Sequence, residues 1–204
     1  MALMQGPRVG LFGGSFDPPH LAHRALADCA LAELKLDKLL WIPAGQPWQK
    51  AGRQLAPAEQ RCAMVQLMMD GEPRFELDDC ELRRSGASYT VETLRERAVN
   101  HPGEQLFLII GQDQYARLNT WRDWPEILQR ATLAVAARAG EAMKAAPELQ
   151  ATPHRMLPLA LPAMAHSATA VRQQVMRGED IRPMVGNAVA GYIAQHRLYE
   201  KSEY

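Results

Sequence analysis

Apolar residues along this chain follow two alternating spacings. Short dense runs read as strands: RVGLF at 8–12, DKLLWIP at 37–43, EQLFLIIG at 104–111, ATLAVAAR at 131–138 and RMLPLAL at 155–161, with a shorter one near Arg74–Leu77. EQLFLIIG is unbroken, as expected of a strand buried on both faces. Between these runs the apolar positions recur at helical spacing, first as Leu21, Ala25, Leu26, Cys29, Ala30 and Leu34. A Met-rich helix is predicted at 58–69, and a capped helix at 88–99 with Ser88 or Thr90 as its N-cap. A short helix follows at 124–130 with Pro125 near its start, then one at 166–178 with a Ser cap and a terminal Gly, and a closing helix at 187–199. Residues 44–57 read as a Gly/Pro/Gln-rich loop long enough for a mobile flap, and 139–153 as a loop or poor helix.

Strands that alternate with helices imply an α/β fold: a Rossmann-like, doubly wound parallel sheet with helices on both faces and C-terminal helices. Ligands in such folds bind outside the carboxyl ends of the strands, near the switch in strand order. No repeat, low-complexity tract or linker divides the chain, so residues 1–204 are expected to form a single domain.

Composition narrows the function classes. Basic and acidic residues number 23 each, so the basic excess of a nucleic-acid binder is missing, although a local positive pocket for a small anion is compatible with it. Three widely spaced cysteines, Cys29, Cys62 and Cys80, fit reduced thiols better than a disulfide framework. The start MALMQGPRVG lacks the pattern of a signal peptide, and no apolar run reaches the roughly 20 residues of a membrane helix. A cytoplasmic protein without membrane or nucleic-acid partners is expected, with monomer and homo-oligomer both open.

The densest chemistry lies in GLFGGSFDPPHLAH, residues 10–23. Gly13 and Gly14 are expected to make a sharp turn and to admit a ligand where a Cβ would stand. Pro18 and Pro19 stiffen the exit. His20 and His23, three apart at a helix start, share a face beside free backbone N–H groups and the positive end of the helix dipole. Together these make a polyphosphate cradle, and bound phosphate oxygens would favour charged imidazoles. The plainer readings are two surface histidines, or a metal site, which would want a third ligand; no metal held by the protein is expected. Asp17 is expected to close an Asx arrangement within its own turn.

GGSFDPPHLAH also resembles the H-x-G-H nucleotidyltransferase signature, and within that superfamily the chain resembles bacterial nicotinate mononucleotide adenylyltransferases. ELRRSGASYTVETL (81–94), LIIGQD (108–113) with NTW (119–121), HSATAVR (166–172) and GYIAQHRLY (191–199) are similar to further motifs of that family, in the same order. Four departures stand out: Ala22 for the usual glycine, Ser15 for Thr, PWQK (47–50) for P-P-H-K, which places Trp48 and Gln49 in the flap, and His166 for Ile.

The resemblance implies a single nucleotidyltransferase domain that joins ATP and nicotinate mononucleotide, giving deamido-NAD and pyrophosphate in NAD biosynthesis. It implies that His20, His23 and Arg172 serve catalysis. ATP would be held by Gly13, Gly14, Ser15, Phe16, His20, His23, Asp113, Ser167, Thr169 and Arg172, with Asp113 facing a ribose or capping a helix at 114–118. Nicotinate mononucleotide would meet Lys50, Tyr89, Thr90 and Trp121, and a site built for its carboxylate would prefer it to the amide. Mg²⁺ would ride on the ATP phosphates and water. The rivals are a phosphopantetheine adenylyltransferase, a cytidylyltransferase, or a non-catalytic ATP-binding sensor.

Overall fold

The structure is a computed structural model that describes residues 6–47, 55–138, 143–161, 164 and 166–200. Strand β1 (Arg8–Gly14) leads into helix α1 (Leu21–Glu33), then β2 (Lys38–Pro43) and a two-residue β3 (Gln46–Pro47). Helix α2 (Ala58–Met69), β4 (Phe75–Leu77), α3 (Cys80–Arg83), the two-residue β5 (Ala87–Ser88) and α4 (Thr90–Asn100) follow. The second half runs β6 (Gln105–Gly111), α5 (Gln112–Tyr115), α6 (Trp124–Arg130), β7 (Thr132–Arg138), α7 (Pro147–Ala151), β8 (Met156–Leu161), α8 (Ala168–Met176) and α9 (Arg182–Gln195).

Six parallel strands form the sheet in the order β4-β2-β1-β6-β7-β8, while β3 pairs with β5 apart from it. The chain therefore builds outward from β1 on one side, returns, and builds outward from β6 on the other. The reversal falls between β1 and β6. Their pairing runs only from Arg8↔Gln105 to Leu11↔Leu108, although β1 continues to Gly14 and β6 to Gly111. Beyond that register the two strands are no longer paired, and a switch point of this kind is where a doubly wound sheet forms its ligand crevice.

Period-two alternation divides the buried residues between the two faces of the sheet. Phe12, Trp41, Phe107 and Ile109 join α1, α2, α8 and α9 in one core cluster. Val9, Leu11, Leu40, Leu108 and Ile110 join α4, α6 and α7 in the other. Gly10 belongs to the first face by necessity, since a Cβ there would stand 2.7 Å from Leu36 Cδ1 and 3.0 Å from Ile109 Cδ1. The expected doubly wound α/β sheet is thus the observed one.

Four local expectations are corrected. Gly13 and Gly14 extend β1, and the turn falls on Phe16, with φ of 45°, and on the cis Asp17–Pro18 bond. A non-glycine residue in that region costs about 1–3 kcal/mol, so the surroundings must hold it there. Phe16 is held by its own ring, packed edge-on against Phe12 at 5.5 Å and tilted against Trp41 at 5.2 Å. The helix expected at 88–99 begins at Thr90; Tyr89 occupies the N-cap position without a side-chain cap, and Ser88 lies in β5. The closing helix expected at 187–199 does start after a break at Gly186, with φ of 79°, but it ends at Gln195, after which Leu198 and Tyr199 fold back into the core. Asp17 cannot close an Asx turn, because the residue two ahead is Pro19 and carries no N–H.

Asp17 is instead a buried tertiary anchor. Its Oδ1 accepts from the Tyr199 hydroxyl at 2.9 Å and from the Ala56 N–H at 3.1 Å, and its carbonyl accepts from Arg172 Nη1 at 2.5 Å. Arg61, also buried, donates to the carbonyls of Ser15 at 2.8 Å and Ala56 at 3.0 Å. The corner after β1 is thereby tied to α2, α8, the end of the 44–57 loop and the C-terminal segment. Tyr199→Phe removes one buried hydrogen bond to a carboxylate, a loss of about 1.5–3 kcal/mol. For a chain of this size the melting temperature is expected to fall by roughly 4–10 °C. An unchanged melting temperature in calorimetry would remove Tyr199 from the anchor.

Candidate active site

The corner faces the crevice with the residues singled out from sequence. Gly13 is exposed, and a Cβ there would meet nothing within 4 Å, so its open face is free for a ligand. Gly14 has a different reason to be glycine: a Cβ would lie 2.9 Å from the Phe16 ring. The Phe16 side chain, 1% exposed, is the floor of the corner and is closed to a ligand. Of the core and adenine-side positions that the sequence leaves open for this ring, it takes the core one. Ser15 contributes a carbonyl that Arg61 holds.

His20 caps the start of α1 by position, and His23 lies one turn further along. The His20 N–H donates to His23 Nδ1 at 3.1 Å, and the rings stack with centroids 3.7 Å apart. That bond fixes the tautomer: a neutral His23 with Nδ1 as acceptor carries its hydrogen on Nε2 and can donate it outward. Phe16 buttresses the His23 ring edge-on at 5.2 Å. Burial, and secondarily the nearby His166, lower the His20 pKa to about 4. Its Nδ1 is buried without a partner, as is that of His166. In the ligand-free protein His20 is therefore neutral, and the charged form expected from the sequence requires an anion beside it.

At the neighbouring helix start, Ser167 is the N-cap of α8, its Oγ accepting from the Ala170 N–H at 3.1 Å. Ser167 and Thr169 are exposed. Arg172 is a buried, bonded cation and not an exposed helix charge. It is 7% exposed, with Nη1 on the Asp17 carbonyl and Nη2 3.2 Å from Thr169 Oγ1. Helical spacing of three residues brings Thr169 and Arg172 together, and the neighbouring Val171 is buried in the first core cluster.

Across the crevice, β6 ends at Gly111 and Asp113 follows, exposed, with Oδ2 accepting from Gln114 Nε2 at 2.8 Å. Asp113 is not the N-cap; Gly111 is, and Asp113 lies in the first turn of α5. Tyr89 and Thr90 begin α4, and Trp121 and Tyr89 both pack on the second core cluster. The Arg122 guanidinium sits 4.7 Å over the Tyr89 ring. Trp121 Nε1 is a buried donor without a partner. Lys50, Trp48 and Gln49 lie outside the described residues.

Three contributors escaped the sequence reading. Arg61 and Tyr199 hold the corner from behind. Buried Glu81 accepts from Thr93 Oγ1 at 3.1 Å, its carboxyl pKa raised by burial, and its own carbonyl accepts from the Ser88 hydroxyl at 3.4 Å beside the β3–β5 pair. Arg61 left only the signal of a lone guanidinium one turn into the Met-rich helix, while Glu81 and Tyr199 stand at the ends of the family-like segments 81–94 and 191–199 without a role being assigned to them.

Among the described residues no group of three or more His, Cys, Asp or Glu is arranged to hold a metal ion, and no helix is long and apolar enough to cross a membrane.

A family model described as cytidylyltransferase-like matches residues 11–174. A relative from Methylibium petroleiphilum named "Probable nicotinate-nucleotide adenylyltransferase" is 47% identical over 94% of this chain and 92% of its own length. One of the same name from Thermus thermophilus is 41% identical over 94% of this chain and 99% of its own. A solved Plasmodium falciparum nicotinic acid mononucleotide adenylyltransferase complexed with NaAD matches with a TM-score of 0.81 over 96% of this chain and 98% of that one. At 17% identity that likeness concerns the fold.

The lowered His20 pKa carries a pH signature. The unfolded ring titrates near 6.5 and the folded one near 4, so between those values the unfolded state binds the extra proton. Stability contributed by neutral His20 is complete above pH 6.5 and is lost as pH falls toward 4, by an amount on the order of 3 kcal/mol. Urea unfolding of the parent and of His20→Asn across this window is expected to show a shallower acid loss in the variant; equal slopes would contradict the burial of a neutral ring.

Proposed function

This chain belongs to the cytidylyltransferase-like family and, within it, to the nicotinate-nucleotide adenylyltransferases, and from that footing we propose that it transfers the adenylyl group of ATP to nicotinate mononucleotide. A phosphate oxygen of the mononucleotide forms a bond to the α-phosphorus, the bond from that phosphorus to the β-phosphate bridging oxygen breaks, and deamido-NAD and pyrophosphate result. The observation that carries this reading is the stacked histidine pair at a helix start, facing a crevice at the switch point of the sheet.

The attacking phosphate, with a second pKa of about 6, is largely ionised at neutral pH, so the reaction needs no general base. The obstacle is mutual repulsion of two polyanions, and positioning with charge neutralisation is the remedy. His23 is assigned to the α-phosphoryl oxygens through Nε2–H, the tautomer that the His20 N–H enforces. His20 gains a proton when phosphate oxygens arrive. Gly13 and the main chain of Gly14, Ser15 and Phe16 line the approach. Ser167, Thr169 and the free amides of α8 suit the β- and γ-phosphates. Arg172 acts through Asp17 and Thr169 as a positioning residue and adds positive potential from behind.

Asp113 is assigned to the ribose hydroxyls, and Tyr89, Thr90 and Trp121 to the pyridine carboxylate and ring, with Lys50 on the substrate-side flap. Mg²⁺ takes hard oxygen ligands, which an imidazole pair does not offer, so it would be carried by the nucleotide's own phosphates, where it neutralises charge. The reading treats 1–204 as a single catalytic domain working in the cytoplasm, with its cysteines as free thiols.

The purified chain is expected to release pyrophosphate from ATP and nicotinate mononucleotide, and far less with CTP or with the phosphopantetheine acceptor. ATP binding without pyrophosphate release would make it a sensor. His23→Ala is expected to lower kcat about 10²–10³-fold with little change in KM for ATP; undiminished turnover would take His23 out of the reaction.

A further inference from the structure

We propose that His166 is a third imidazole of the anion cradle and binds the β- and γ-phosphates beside the α8 helix start. The inference rests on the adenylyl-transfer reading and adds a residue where the family resemblance leads one to expect Ile.

His166 directly precedes Ser167, the N-cap of α8. The residue is half-buried, so one edge of the ring stays open while Nδ1 is closed off without a partner. His20, more than nine-tenths buried, presents the same picture on the α1 side of the crevice. The two rings are close enough that charge on His166 opposes charge on His20. Two polar rings that repel when charged, with buried nitrogens unsatisfied, are a poor packing solution. An Ile would fill the space without either cost. Each cost is relieved by one event, the arrival of an anion between them. A rotation about χ2 brings either ring nitrogen to the open edge, and Nδ1 has no bond to lose in that rotation.

The anion belongs to the β,γ side rather than to the α-phosphate. His23 is committed by its Nδ1 bond to the start of α1, whereas His166 stands on the other helix start with exposed Ser167 and Thr169. Ligands that end at the α-phosphate are therefore indifferent to His166.

The test is calorimetric titration of the full chain and of His166→Ile with inorganic tripolyphosphate, ATP and AMP. Loss of one charge-assisted hydrogen bond is expected to weaken tripolyphosphate and ATP about tenfold. In His166→Ile AMP affinity is expected to hold and the melting temperature to rise, and His166→Gln, which keeps a donor, is expected to recover part of the polyphosphate loss. Unchanged tripolyphosphate affinity in His166→Ile, or an equal loss for AMP, would overturn the assignment. Neither result depends on turnover. A parent chain that binds tripolyphosphate through His166 yet makes no pyrophosphate would instead defeat the adenylyl-transfer reading and leave the anion site standing.

Discussion

The carboxylate and carbonyl of Asp17 are the constraint on which the site depends. A buried aspartate without partners would be protonated or would unfold its surroundings. Here the Tyr199 hydroxyl and the Ala56 amide satisfy Oδ1 while Arg172 seizes the carbonyl. Phe16 stays in a costly backbone region because Asp17, one residue on, cannot move and Arg61 holds the carbonyl of Ser15, one residue back. The helix that carries His20 and His23 starts from that fixed point. Energy taken from long-range contacts is thus spent on the angle at which two imidazoles meet the crevice.

The same arrangement sets the charge. Buried guanidiniums of Arg61 and Arg172 face the single carboxylate of Asp17. Beside that positive ground, stacked imidazoles 3.7 Å apart resist further charge, and burial holds His20 neutral with a pKa of about 4. A polyphosphate reverses the balance, since each oxygen favours the imidazolium that desolvation forbids. Protonation and nucleotide binding then become one linked event, and the cradle carries its full charge only when there is an anion to neutralise.

Much of this was legible in the sequence, and the limit is physical. Dense apolar runs and helical spacings located the six sheet strands and most helices to within a residue or two, because both patterns are local. The histidine pair and the Ser167 cap were legible for the same reason: their geometry follows from short spacing along one helix. The glycine pair misled, because glycine marks where a turn is allowed and not where it falls; here Gly14 is needed for the Phe16 ring. The anchor was illegible. Asp17 reaches partners 39, 155 and 182 residues away, and no local pattern announces such contacts. How deeply Arg172 lies was illegible, because helical spacing names a face without saying how deeply that face is packed. The neutral state of His20 likewise follows from burial, a property of the assembled corner.

The most direct measurement of the linked charge is proton uptake on nucleotide binding. ATP is titrated into the chain near pH 7 in two buffers whose ionisation enthalpies differ widely, and the difference in observed heat counts protons exchanged. With His20 neutral beforehand and charged afterwards, net uptake approaching about one proton per nucleotide is predicted. No uptake, or net release, would contradict a corner that stays uncharged until its anion arrives.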